Sequence, residues 1–402
     1  FGGGGSVRNL KILEFLKNRF ELDVIPSIPG NVAHGLSESG YAKKLVSVIE
    51  GYGFSVPTVV LDILKSSPQR KKYTQLSLIS KIVKEIKNKY NLVYSMSELP
   101  SDLLLALKIR SEKRAYLSQG LWFTNNLYND IKLELKTEYY TPFTVEFYKR
   151  ITLRSLFRNA SYFLSKKFDA ILTINRAHFE MNGLNKKVDN SKIKLIYPGN
   201  ATSVKPTQPV AGKENYVVHF GRLHPTKGLF IVPRILREVR DRVSDIKLVI
   251  FGKFTNEKIK VKFFERINSY HLRENVEYLG FLREDEMLKV ISKAKVLIFP
   301  TLVDIHPLSV LDALALGTAV ISLDIPTMRW LYDGIKPVSL CNSYECMATE
   351  VKRFMEMDSE SYIGMFRDSK TVKFIEDHSD WSKVAQAELK TIEGLLNENL
   401  HN

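Results

Sequence analysis

Residues 296–323 read VLIFPT LVDIHP LSVLDALALG TAVISL, and this stretch decides the fold. Its opening residues are aliphatic and β-branched, as in a strand buried on both faces. A loop closed by Pro307 follows, then an apolar run with helical spacing that stops at Gly317. A second β-branched run, 319–323, comes directly after. Strand, loop, helix and strand in this order form a crossover unit, which builds a parallel sheet. Asp304 lies in the loop and Asp312 inside the helix. A carboxylate among helical apolar residues is costly without a partner. Two carboxylates so spaced can read two sets of hydroxyls on one ligand. The helix start between them offers backbone N–H groups to phosphate or sugar oxygens. A surface loop Asp and a structural helix Asp is the plainer reading.

The same alternation runs through the chain. Strand candidates in the first half are 22–27, 58–63, 92–96, 115–119, 170–175 and 193–197. In the second half they are 216–220, 247–252, 276–281, 296–301, 319–323 and 337–341. Amphipathic segments such as 10–20, 77–89, 286–294 and 309–316 lie between them. The fold class is α/β, with two Rossmann-like doubly wound domains. Segment 200–214 is rich in Pro, Thr, Gly and Lys and reads as a linker. The expected division is 1–204, 205–380 and a closing helix 381–402. The chain opens Phe1-Gly2-Gly3-Gly4-Gly5-Ser6 ahead of a helix at 7–16, whereas a doubly wound domain normally opens with a strand. A missing first strand, with residues 2–5 as the turn after it, is the expectation. An engineered Gly-Gly-Gly-Gly-Ser linker is the rival.

A second constellation is Phe220-Gly221-Arg222-Leu223-His224-Pro225-Thr226-Lys227-Gly228, at the end of strand 216–220. Such folds bind ligands at the carboxyl ends of their strands. Arg222 and Lys227 put two cations on one loop, which suits a diphosphate leaving group that gains charge as its bond breaks. Two solvated cations are the alternative.

The length of 402 residues exceeds one ordinary core. The longest mostly apolar stretch, 310–323, holds Asp312 and Gly317 and is too short to span a bilayer. Cys341 and Cys346 make no disulfide framework, so a reducing, cytoplasmic compartment is expected. The net charge is +15, and residues 1–200 carry nearly all of it, with 31 Lys/Arg against 17 Asp/Glu. A basic half suggests an anionic partner, either a membrane surface, a phosphorylated acceptor or nucleic acid. A solvated surface is the other reading. Lys71, Lys72, Lys81, Lys84, Lys87 and Lys89 accompany no nucleic-acid motif, so nucleic acid is not the expected partner.

Taken together, Gly221-Arg222…Lys227-Gly228, Gly252, Gly280-Phe281, Asp304…Asp312 and Ala313…Gly317…Val320-Ile321 resemble the C-terminal domain of the family 4 retaining glycosyltransferases. That family has the GT-B fold, two Rossmann-like domains facing across a cleft, with a C-terminal helix crossing back to the N-terminal domain. The resemblance implies that Arg222 and Lys227 bind the donor diphosphate, Asp304 the transferred sugar and Asp312 the ribose. These would be the catalytic Asp304, Arg222 and Lys227, with Gly221, Ile305, His306, Leu308 and Ser309 completing the donor site. Gly280, Phe281 and Leu282 would line the base pocket, and Gly3 and Gly4 would approach the diphosphate from the other domain. No metal and no cofactor are called for beyond the nucleoside-diphosphate sugar itself. The anomeric configuration would be kept, with the departing phosphate helping to deprotonate the acceptor.

Three departures stand out. Asp304 and Asp312 occupy positions where the family has Glu, Pro307 replaces a frequent Gly and removes a donor, and Gln119-Gly120 replaces His-Gly. Gln119 is assigned to the acceptor side. His219, His224 and His306 match no metal motif, and Glu284-Asp285-Glu286 reads as a helix cap. The aromatic and basic stretch 139–168 suggests a peripheral membrane face at the inner surface of the membrane and a lipid-linked or membrane-associated glycan acceptor. Aromatics packed into the core are the alternative. The expected activity is that of a retaining glycosyltransferase. A GT-B sugar phosphorylase or epimerase, or a non-catalytic polyanion-binding protein, are the rivals.

Overall fold

The computed structural model describes residues 4–26, 47–48, 50–65, 75–207, 213–243 and 245–397. Two parallel sheets organise them. The first has four strands in the order β1 (Tyr90–Ser95), β2 (Ser111–Ser118), β3 (Ala170–Thr173) and β4 (Ile193–Leu195). The second comprises β5 (Glu214–Phe220), β6 (Lys247–Phe251), β7 (Val276–Tyr278), β8 (Ala294–Phe299), β9 (Ala319–Leu323) and β10 (Val338–Cys341), in the order β10-β9-β8-β5-β6-β7. Every paired register is parallel. β3, β8 and β9 are buried along their full length, which explains their mostly apolar sequences. The strand order reverses between β5 and β8. Loops leaving the carboxyl ends of those two strands therefore diverge, and a crevice opens between them.

Helix α1 (Gly4–Leu16) and the closing helix α5 (Trp381–Asn397) pack together, with α2 (Leu127–Lys136), α3 (Val145–Ser165) and α4 (Leu308–Ala315) between them in the chain. Ile12 and Leu16 of α1 share a core with Trp381, Val384, Ala385 and Ile392 of α5. At its centre the Arg8 guanidinium pairs with the Glu388 carboxylate, both buried, and donates through Nε to the Gly199 carbonyl at 2.8 Å. The Tyr94 hydroxyl donates to the other Glu388 oxygen at 2.7 Å. The closing helix thus crosses back onto the first sheet. This is the GT-B arrangement expected from the sequence.

Four expectations need correction. Segment 58–63 is no strand but the helix Thr58–Lys65. The Pro57 carbonyl accepts from the amides of Val60 and Leu61 and starts the helix, and Val60 is buried while Asp62 is exposed. Helical packing overrides the β-branched composition here. Of segment 22–27, only Asp23 makes a bridge, to Ser55, and Ser27 lies outside the described residues. Gly4 and Gly5 form the first turn of α1 rather than a loop, and Gly3 lies outside the described residues. The segment read as a linker is packed from Asn200 to Val204, with Asn200, Ala201, Thr202 and Val204 buried. Its amides bond outward, Thr202 to the His378 carbonyl and Thr207 to the Ala315 carbonyl, both at 2.8 Å.

Removing one partner of the buried pair leaves an uncompensated charge. Glu388→Ala should lower unfolding stability by about 3–5 kcal/mol, measured by urea denaturation.

Candidate active site

A cleft of about 1110 Å³ lies where the loops after β5 and β8 diverge. From the second half it is lined by Gly221, Arg222, His224, Lys227, Phe281, Leu282, Asp304, Ile305, His306, Leu308, Ser309 and Asp312. From the first half, Gly5, Arg8, Glu98, Gln119, Arg150 and Arg154 line it. Most of the residues singled out in the sequence are therefore brought together; Gly280 and Gly4 are not on the cleft wall.

The loop after β5 is held by close backbone approach. Gly228 has φ +76°, and a Cβ there would sit 2.0 Å from the Pro300 carbonyl oxygen. Only glycine lets this turn pack against the β8 loop. The contact positions Lys227, whose Nζ pairs with the Asp304 carboxylate and donates to the Val303 carbonyl at 3.1 Å. Asp304 also accepts from the amide of Ile305 at 2.9 Å, so that amide is engaged within the loop. Arg222 is exposed on the cleft wall and makes no ion pair among the described residues.

His224 sits between the cations. Its Nδ1 accepts from the Thr226 amide at 3.2 Å and lies 2.7 Å from the Thr226 hydroxyl. Burial lowers its pKa to about 3, with Arg222, Arg150, Lys227 and Arg154 adding to the effect. The imidazole is therefore neutral and leaves Nε2–H as a donor. His219 bonds the Ile298 carbonyl through Nδ1 at 2.9 Å, and both ring nitrogens of buried His306 lack a partner. Among the described residues no cluster of His, Cys, Asp or Glu suits a metal ion.

Asp312, on α4, accepts from the Thr202 hydroxyl. Burial pushes its carboxyl up to about 6, against the Thr202 hydrogen bond. The β8 loop is braced from the first half: Asn175 donates to the carbonyls of Ile305 (2.8 Å) and Thr327 (3.1 Å), and Asn200 to that of His306 (3.0 Å). Gln119 spends its amide NH2 on Asn9 Oδ1 and the Met96 carbonyl. A Cβ on Gly5 would lie 2.2 Å from Gln119 Oε1, so the start of α1 and the end of β2 are in tight register. Glu286 caps the helix Glu284–Lys293 by accepting from the Arg283 amide at 3.0 Å.

Sequence reasoning missed Glu98, Asn175, Asn200, Thr202 and the cleft-facing use of Arg150 and Arg154. Glu98 is buried, accepts from the Ser118 hydroxyl and the Leu121 amide, and so pins the loop after β2. Burial raises its pKa to about 7. Nothing local marks it in the sequence. Asn175 closes the strand run 170–175, which is the one signal that was there to read.

Comparison with known proteins bears on the fold and on one segment of the sequence. Residues 202–335 match the model of the glycosyl transferases group 1 family. A glycosyltransferase of Methanocaldococcus jannaschii, itself uncharacterized, is 31% identical over 116 residues, which is 29% of this chain and 27% of that protein. The chain spans about a quarter of the length of that relative. Among solved structures, Anabaena HepE in complex with UDP and glucose superposes with a TM-score of 0.65 at 14% identity, covering 98% of this chain and 96% of that one. Sucrose-phosphate synthase from Thermosynechococcus elongatus superposes with a TM-score of 0.60 at 12% identity, covering 83% and 82%. The chain therefore has the GT-B fold, and its residues 202–335 carry the sequence pattern of the group 1 glycosyl transferases.

Proposed function

We propose that this chain is a retaining glycosyltransferase that moves a sugar from a nucleoside-diphosphate sugar to an acceptor hydroxyl. One observation carries the reading. Arg222, Lys227, Asp304 and Asp312 line a single cleft at the switch point of a parallel sheet, within the segment that matches the group 1 family. Arg222 and Lys227 take the diphosphate, and neutral His224 adds an N–H donor beside them. Asp312 accepts from the ribose hydroxyls. Lys227 and Asp304 satisfy each other. An arriving diphosphate competes for Lys227 and frees Asp304 to accept from hydroxyls of the transferred sugar.

In the reaction, the bond between the anomeric carbon and the phosphate oxygen breaks while the acceptor oxygen bonds to the same face of that carbon. The departing phosphate takes the acceptor proton, and the cations hold the charge that develops on it. The reaction so written calls for no protein nucleophile and no metal. Gln119, with its NH2 engaged, acts on the acceptor side by holding α1 in register. UDP is the first nucleotide to test, because structural neighbours are bound to it. The acceptor is a glycan or a lipid-linked, membrane-associated glycan.

A ligand that binds only the folded state raises its stability by about 2.7 kcal/mol at a hundredfold excess over Kd. In a thermal-shift series of UDP, GDP, ADP and their sugar conjugates, one nucleotide family should raise Tm, and Arg222→Ala should abolish that rise. No response to any nucleotide would contradict the reading.

The raised pKa of Asp312 gives a second expectation. An ionised carboxylate accepts from both ribose hydroxyls, so sugar-nucleotide affinity should rise as pH passes through about 6 and level off above it. The stability of the ligand-free fold should move the opposite way. The folded state holds the protons of Asp312 and Glu98 more tightly than the unfolded chain. That contribution is fully present below the ordinary values of 3.8 and 4.5 and is lost as pH rises through about 6 and about 7. Asp312→Asn should flatten both slopes and Glu98→Gln only the stability slope, read by titration calorimetry and thermal unfolding.

A further inference from the structure

Helix α3 has 21 residues, about 31 Å of length, and it presents three different faces. Phe147, Ile151, Arg158, Tyr162 and Ser165 point into the first-half core. On the outer face Val145, Tyr148, Leu153, Leu156, Phe157 and Phe163 are all exposed, Val145 to 86% and Phe163 to 64%. An apolar stripe of this length on a surface helix calls for a covering partner. The preceding loop adds Phe143, which is 81% exposed and held at φ +64°. A bulky residue rarely adopts that conformation without a use for it. The neighbouring α2 exposes Leu127, Tyr128 and Leu135.

The charge around the stripe is one-sided. Glu146 is the single acid of α3, while Lys149 lies on the outer face and Lys166 and Lys167 follow its end. Lys167 Nζ lies 5.4 Å from the centre of the Phe163 ring. Two copies docked through this face would bring like charges together. An anionic lipid surface meets both the apolar residues and the lysines. No helix among the described residues is long and apolar enough to cross a membrane.

The third aspect of α3 joins this surface to the cleft. Arg150 and Arg154, one turn apart, line the cleft and share the buried Glu134 carboxylate of α2. Arg154 Nη1 has no partner. We propose that α3 seats in the headgroup layer of an anionic bilayer, so that an acceptor held in that bilayer enters the cleft beside Arg150 and Arg154. The identity of the acceptor as membrane-held rests on the glycosyltransferase reading; the docking itself does not.

The test is flotation of the full chain with vesicles of phosphatidylcholine plus phosphatidylglycerol, and with phosphatidylcholine alone. The wild type should float with the anionic vesicles at low salt and progressively less as salt rises. The double variant Leu156→Glu/Phe157→Glu should lose at least about tenfold in partitioning, since both side chains would enter the apolar layer. Its nucleotide-induced thermal shift, unchanged from wild type, shows that it folds. A wild type that stays at the bottom of the gradient, or a variant that floats equally well, would overturn the docking. So would a dimer by light scattering that the variant dissolves in the absence of flotation. Absent nucleotide shifts with intact flotation would overturn the donor-site reading alone.

Discussion

The buried contact between Arg8 and Glu388 is the constraint on which the architecture turns. Four chain segments meet there: the first helix, the closing helix, the segment ending at Gly199 and, through the Tyr94 hydroxyl, strand β1. Stability in bulk comes from the apolar residues around it, from Ile12 and Leu16 to Val384 and Ile392. A buried ion pair contributes little net energy over an apolar substitute but penalises every arrangement that separates its members. Its effect is directional, because the closing helix has one seat on the first sheet. Helix α1 is then placed with Gly5 against Gln119, at the rim of the cleft.

Within the cleft the electrostatics are asymmetric. Arg222 and Lys227 come from the second half, Arg150 and Arg154 from the first, and all four act on the same histidine. Three of the four are paired, with Asp304 or Glu134, so the cleft is not a cavity of bare cations. An anionic ligand exchanges partners with these pairs and need not enter an unscreened field. The braces from Asn175 and Asn200 hold the Asp304 loop by its carbonyls, which leaves its side chains to face the cleft.

The second half was more legible in the sequence than the first. Its inner strands β5, β6, β8 and β9 carry buried apolar runs, and each of its six strands was readable within a few residues. The run at 58–63 is also rich in β-branched residues, yet the Pro57 carbonyl starts a helix there. The cleft residues of the second half could be read because they lie on three short loops and one short helix. Thr202 and Asp312 are 110 positions apart, Asn175 and Ile305 130, and neither spacing leaves a local pattern. The composition of 139–168 left a membrane face and core packing both open, and only the fold sorts Phe147 and Tyr162 inward, Leu156 and Phe157 outward, and Arg150 and Arg154 toward the cleft.

The most direct test of the account is a crystal structure of the chain with UDP. The account predicts the β-phosphate within hydrogen-bonding distance of Lys227 Nζ and Arg222, the ribose hydroxyls on Asp312, and Asp304 released from Lys227. A nucleotide bound outside this cleft, or bound in it with the Lys227–Asp304 pair intact and the phosphates elsewhere, would contradict it.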